Sequence, residues 1–425
     1  MLSYESPKKG ENTLSKSMHA EPSVVVIGGG ASGLMAAVTA ARKGAKVTLL
    51  EHNDRLGKKL LATGNGRCNM TNIHQNPRAY RGSHPEFAEL ALSHFSVGDT
   101  IRFFSQLGIY TKNKNGWIYP ASLQASSVLE VLEMEARYLK VKCKTRENVT
   151  AVLPAEDGYL VVTDGWSYPC SKVILACGSS ASGIEGADGS GYSLAEKLGL
   201  RLIPPLPALV PLRCRAKSSA YRKLFSRWSG VRVEGRVVLR VKGENFLSET
   251  GELQLTDYGV SGIPVFQLSR YAVRLLQEGQ TPELLLDFFP DFSKKQLESF
   301  LRKRQEDCPY KTLKESLTGL FPRKLIEVLM DGSPDLEELV SRIKEYLLLP
   351  TGAASLEQAQ VCSGGVDTSQ LHPESMEAKE YPGLYICGEL ADVDGACGGY
   401  NLQWAWTSGA LAGRAAAEGL RKETT

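Results

Sequence analysis

The chain is short of everything that a disulfide scaffold, a zinc site or a membrane span requires. Its nine cysteines, at 68, 143, 170, 177, 214, 308, 362, 387 and 397, are odd in number and no two have C-x-x-C spacing, which argues against a disulfide framework and a zinc site alike. No metal is expected. No apolar run approaches the ~18 residues of a membrane-spanning helix. Charge is nearly balanced, with 50 Lys and Arg against 47 Asp and Glu; without a basic surplus or stripe, no nucleic-acid partner is implied. The 22 residues before Ser23 are polar and lack the apolar core of a secretory signal, so they read as a disordered tail. These absences leave an ordinary globular chain, expected in the cytoplasm, whose 425 residues suffice for two or three domains of ~150 residues each.

Glycine is what the chain has in excess, 41 residues, with clusters at 28–33, 57–66, 178–191 and 395–409. Glycine serves where backbone needs a positive φ or lies against a ligand, so four clusters imply one extended ligand touched from several directions. The first is the most informative. Val24-Val25-Val26-Ile27 reads as a buried parallel strand. It runs into Gly28-Gly29-Gly30-Ala31-Ser32-Gly33, a G-x-G-x-x-G, and then into an Ala-rich helix from Ala31 to about Lys43, ended by Gly44. A second strand, Lys46–Leu50, leads to Glu51, 18 residues beyond Gly33. Strand, glycines, helix, strand and acid in that order make the dinucleotide fingerprint. Gly28 permits the turn, Gly30 lets pyrophosphate approach, and Gly33 lets helix pack on strand. The helix N-terminus at Ala31 and Ser32 offers free N–H groups to phosphate, and Glu51 can accept from the ribose hydroxyls while repelling a 2′-phosphate.

NAD and FAD share this fingerprint, so later segments decide between them. The loop Gly57–Asn69 suits a course along a pyrophosphate and a ring edge, with Lys59, Thr63, Gly64, Gly66, Arg67, Cys68 and Asn69 as contacts. A buried strand ends in Ala176-Cys177-Gly178 after a small meander at 149–153 and 159–163. Near the C-terminus, a strand ends in Gly388-Glu389, which places a carboxylate near a ribityl chain. Gly398-Gly399-Tyr400-Asn401-Leu402 then opens an Ala-rich helix, putting a second helix N-terminus, through Gly399, Asn401 and Leu402, where a flavin carbonyl can receive N–H bonds. An NAD dehydrogenase does not need this C-terminal return. The cofactor read from the residues is non-covalent FAD.

With these motifs in place, the chain resembles the BaiN-like (BaiN/RdsA) flavoproteins, NAD(P)/FAD-dependent oxidoreductases. The resemblance runs from Ser23 to Glu418 and rests on VVVIGGGASGLMAA, LGKKLLATGNGRCNMTN, GELQLTDYGVSGIP and SGGVDTSQLHPESMEAKEYPGLYICGELADVDGACGGYNLQWAWTSG. It implies an α/β fold, a discontinuous glutathione-reductase-like Rossmann FAD domain with a large insertion. One branch of the family is named for reducing Δ4,6 double bonds of 3-oxo bile acids. The chain departs from the family where Ser179-Ser180-Ala181-Ser182 follows Gly178 in place of a second Gly and Ser-Tyr-Pro. It departs again at Asp257, where the family reads His after Thr, and at Ile263, where it reads Pro.

The expected organisation is an FAD domain at 23–200 and 351–425, interrupted by a substrate or cap domain at 201–350. The cap is expected to be a β-barrel or sheet over 201–261 and mostly helical over 262–350. The absence of a paired-cysteine relay removes disulfide chemistry. No second complete nucleotide fingerprint exists, so NADH or NADPH would be a transient donor sharing one cavity with a small apolar substrate. Reducing an activated C=C, such as that of an apolar enone, then needs a proton donor beside the hydride source. Tyr119, Tyr258 and Asp257 are the candidates by type and motif position, with Tyr400 and Arg67 behind them. An amine or hydroxy-acid oxidase, and a flavoprotein acting on a macromolecular partner, remain as alternative readings.

Overall fold

The computed structural model describes residues 23–216 and 224–423, so the polar N-terminal tail lies outside the described residues. A five-stranded parallel sheet forms the first layer, in the spatial order Leu384–Ile386, Lys172–Leu175, Ser23–Ile27, Lys46–Glu51, Lys142–Thr145. Its central strand is Val-rich and buried on both faces, as parallel strands covered by helices require. The helix Ala31–Arg42 covers one face and is itself covered by the C-terminal helix Tyr400–Glu423. Those two helices touch backbone to side: a Cβ at Gly409 would lie 2.4 Å from the Ser32 carbonyl oxygen, and one at Gly413 2.3 Å from that of Ala36. The antiparallel meander Val149–Ala155, Gly158–Thr163, Ser167–Cys170 closes one side.

The middle of the chain leaves this layer through a two-stranded link, Leu202–Ala208 paired with Val361–Val366. Beyond the link lies a closed six-stranded barrel in the order 212–216, 259–261, 244–255, 232–241, 283–287 and 346–353. Two strands thus fall in the segment expected to be mostly helical. Glu283–Asp287 reads ELLLD, an apolar run too short for periodicity to separate strand from helix. Tyr346–Ala353 closes the barrel and runs through residue 350. The cap has its own core, with Trp228 fully buried against the rings of Phe225 and Tyr346. The helix Ile263–Gln277 packs on the barrel strand Glu244–Leu255 and on the link strand Leu202–Ala208, and so brings the cap against the parallel sheet's domain. No helix among the described residues is long and apolar enough to cross a membrane.

Candidate functional site: a cofactor track ending under the cap

The fingerprint folds as its residue types demand. A Cβ at Gly28 would lie 2.4 Å from the Ala176 oxygen, and one at Gly33 1.9 Å from the Gly28 oxygen, so neither position admits a side chain. At Gly30 a Cβ would meet nothing within 4 Å; the space beside it is free for a ligand. The helix that follows has no side-chain cap and no acidic residue in its first turn. Its first N–H groups therefore lack a protein acceptor and point an uncompensated positive dipole end into that space. A pyrophosphate fits both the hollow and the donors.

A single cavity of about 470 Å³, within the usual range for small-molecule sites, runs from Glu51 and His52 past Gly28–Ser32 to Trp117, Tyr119 and Cys397. Glu51 is 7 % exposed. Its Oε2 accepts the Gly29 N–H at 2.7 Å, and its Oε1 accepts from Asn53 N and Nδ2 at 2.9 and 2.7 Å. The carboxylate is thus tied to the glycine turn itself before any ribose arrives. Ile184, Gly186 and Ala187 cover this end, held there by Lys58, which bridges Asp54 and Glu185 at 2.8 and 2.7 Å. Midway, Lys59 Nζ lies 2.6 Å from Glu389 Oε2, which also accepts from Ser179 Oγ at 2.5 Å. These polar groups converge where a ribityl chain and pyrophosphate need partners, and they fit FAD.

Most of the sequence-derived candidates line this track: Gly28, Gly30, Ala31, Ser32, Glu51 and Lys59, then Thr63, Gly64, Asn69, Ala176, Cys177 and Gly178, then Glu389, Gly399, Asn401, Leu402 and Tyr119. Others lie off it. Gly33 packs beneath the turn, Gly388 is buried against Ser32, and Cys68 is buried with its thiol pushed up to about 12 by desolvation. Gly66 and Arg67 are exposed. Asp257 is exposed as well, because the Thr256 N–H bonds back to the Gly259 oxygen at 3.1 Å and turns the chain there. Tyr258 packs beside Val210, Ala354 and Cys362, outside the cavity lining. The Tyr400 hydroxyl donates to the His74 oxygen at 2.7 Å and is committed there. The Asn401 amide is likewise spent on Gly395, accepting from its N–H at 2.7 Å and donating to its oxygen at 2.9 Å. Burial also pushes the Cys177 and Cys387 thiols up to about 12, so both stay protonated at neutral pH.

Residues from outside the cofactor motifs complete the far end together with Cys397, which lies within one. Leu209 and Val361 come from the link, and with Phe266 and Cys397 they form a small apolar cluster; Gln360 lies alongside. Trp117 supplies a wall, its ring 3.2 Å from where a Cβ on Gly398 would be. Tyr119 lines the same end, half-buried, and desolvation holds its phenol above the ordinary value against an opposing pull from Arg67. Asn69 anchors the start of the last helix. In the amide orientation that satisfies both its atoms, Oδ1 accepts the Gly399 N–H at 3.2 Å and Nδ2 donates to the Thr71 oxygen at 3.0 Å.

Comparison with known proteins places the chain in a family. The family model described as HI0933-like protein Rossmann domain matches residues 22–415. The 3-dehydro-bile acid delta(4,6)-reductase of Clostridium scindens is 45% identical over 408 residues, 92% of this chain and 98% of that protein. The ribosomal RNA dihydrouridine synthase of Escherichia coli is 31% identical over 396 residues, 90% of this chain and 95% of that one. A solved 3-ketosteroid-delta4-(5alpha)-dehydrogenase from Rhodococcus jostii aligns with 96% of this chain and 99% of its own, at 16% identity and a TM-score of 0.46. The chain therefore belongs to the HI0933-like Rossmann family and is a flavin-dependent oxidoreductase.

Proposed function

We propose that the protein reduces the activated C=C bond of a small apolar enone, a 3-oxo-Δ4 steroid or a bile-acid-like compound, with NADH or NADPH as transient donor. The observation that carries this reading is the end of the track. There Leu209, Val361 and Cys397 make an apolar wall, with Phe266 packed in the same cluster, and Tyr119 places a protonated phenol in the same cavity. The 45% identity to a bile-acid reductase supports it. Bound FAD supplies hydride chemistry between a nicotinamide and an unsaturated acceptor. The chain's own residues do the rest. The glycine turn and Glu51 hold the dinucleotide, Lys59 and Glu389 orient its middle, and the cap excludes water from an apolar substrate. The Tyr119 hydroxyl gives a proton to the carbon beside the one that receives hydride.

The test is anaerobic stopped-flow. The flavin is reduced with NADH or NADPH and mixed with enones, amines, quinones and a uridine-bearing ribosomal RNA. Reoxidation by an enone with a saturated product supports the reading, and rapid reoxidation only by oxygen or quinone replaces it with an oxidase or electron carrier. Turnover of the RNA alone favours the macromolecular alternative, which draws on the 31% identity to a ribosomal RNA dihydrouridine synthase. Tyr119→Phe should leave reduction by the nicotinamide unchanged and slow enone reduction by ~10²-fold or more, the usual worth of a positioned acid. An unaltered rate in that variant would remove Tyr119 from the role.

A further inference from the structure

The cap meets the cofactor domain at one place where charge is buried. Arg270, on the cap helix, has its Nη2 2.7 Å from Asp394 Oδ1, with the two side chains 9 % and 1 % exposed. Asp394 lies on a two-residue strand in register with Arg81, and Asp392 is buried nearby, its Oδ2 accepting the Ser83 N–H at 2.8 Å. One helical turn before Arg270, the Gln267 Oε1 accepts the Cys397 N–H at 3.0 Å and faces Arg81 Nη2 at 3.5 Å. Phe266, the next residue back, packs in one apolar cluster with Cys397, which lines the cavity. Residues one turn apart share a helix face, and this face grips Asp394 and Cys397 at both ends of a four-residue segment. The chain then passes directly into Gly398, Gly399, Asn401 and Leu402, all of which line the cofactor track.

Stability is a weak reason for this arrangement. A buried ion pair is often no more stabilising than apolar residues of the same volume. Here both Asp394 oxygens and Arg270 Nε lack a well-aligned hydrogen bond, so the 2.7 Å approach is a charge contact with unmet polar groups around it. Burial pushes the Asp394 carboxyl up to about 6 even with Arg270 and Arg81 beside it. What the pair does supply is a fixed register between the cap and the segment that leads into the last helix.

We propose that Arg270 and Gln267 are positioning residues for the flavin: through Asp394 and Cys397 the cap helix sets where the start of the last helix stands against the ring. On that arrangement a molecule filling the apolar end of the cavity, pressing on Cys397, alters the electrostatic field at the flavin from the cap side. This last step rests on the reading that the apolar end takes the substrate; the positioning itself does not.

The experiment uses the FAD-loaded full chain carrying Arg270→Met or Gln267→Leu. Sulfite affinity of the oxidised flavin reports the field at the ring, and hydrogen exchange of the peptide over 394–402, measured on apoprotein, reports the segment directly. Each variant should keep its FAD, weaken sulfite binding by about tenfold or more, in the ordinary range of coupling between sites, and speed exchange across 394–402 while leaving the Val24–Ile27 strand protected. Arg270→Lys should restore part of the sulfite affinity. Should Arg270→Met leave Asp394 too costly to bury, the paired change Arg270→Met with Asp394→Leu removes both charges, and Gln267→Leu tests the second contact alone. Folded variants with wild-type sulfite affinity and wild-type exchange overturn the proposal. A protein that fails to reduce enones but shows these shifts overturns the enone reading and leaves the positioning intact.

Discussion

Glu51→Arg protein emerges from purification without its yellow colour. The carboxylate of Glu51 accepts three hydrogen bonds within 2.9 Å, one from the glycine turn and two from Asn53, at a position 7 % exposed. Hydrogen bonds to a charged group are worth ~1.5–3 kcal/mol each. An arginine there leaves the Gly29 and Asn53 donors facing other donors, adds a buried cation and removes the ribose acceptor. With each 1.4 kcal/mol equal to a factor of ten, FAD affinity should drop by at least about 100-fold. Glu51→Gln keeps one acceptor and should fall between. The measurement is flavin released on denaturation per mole of protein, with circular dichroism to show that the fold persists. Flavin retained at the wild-type ratio in folded Glu51→Arg would remove Glu51 from the cofactor site; NAD released in place of FAD would change the cofactor.

Gly399→Pro should cost the protein its turnover while sparing much of its flavin. Gly399 has φ +96, whereas proline is locked near −65°. A Cβ there would stand 2.7 Å from the Thr71 carbonyl carbon, and the N–H that Asn69 accepts disappears. The helix start must therefore shift by more than its neighbours Thr71 and Asn69 can absorb. The fingerprint at Gly28–Gly33 lies on other elements and is untouched, so dinucleotide binding should weaken by about tenfold, the worth of one lost hydrogen bond to the site. Flavin midpoint potential and visible spectrum should both move. Gly399→Ala, strained in φ but keeping its N–H, should show a smaller change in the same direction. A Gly399→Pro protein with wild-type spectrum and potential would place the helix start away from the ring.

The cofactor half of this molecule was readable because its signals are local. Strand, turn, helix and acid follow one another within about thirty residues, the span of one βαβ unit, and each residue type has a separate physical reason to be there. The apolar end of the track was not readable for the opposite reason. Leu209, Phe266, Val361 and Cys397 come from four distant segments, and each looks in sequence like an ordinary packing residue. Asp257 and Tyr258 drew notice because they sit in a conspicuous motif, but the Thr256–Gly259 turn sends one to solvent and packs the other beside Val210 and Cys362. Arg270 and Asp394 carry no spacing that links them; only the docking of a cap helix on a two-residue strand brings them to 2.7 Å.

The close seating of Gly409 and Gly413 on the carbonyls of Ser32 and Ala36 has a temporal side. The two helices lie far apart in sequence, with the whole barrel between them. Until they meet, the phosphate-binding turn has one flank bare, while the barrel, whose strands pair with one another, is free to form in between. Contacts between segments so distant in sequence are slow to find, because the loop they close is long. Free FAD should then act late, by trapping the finished pairing of the two helices, and a chain refolded without it should show first a folded barrel with the two helices unjoined.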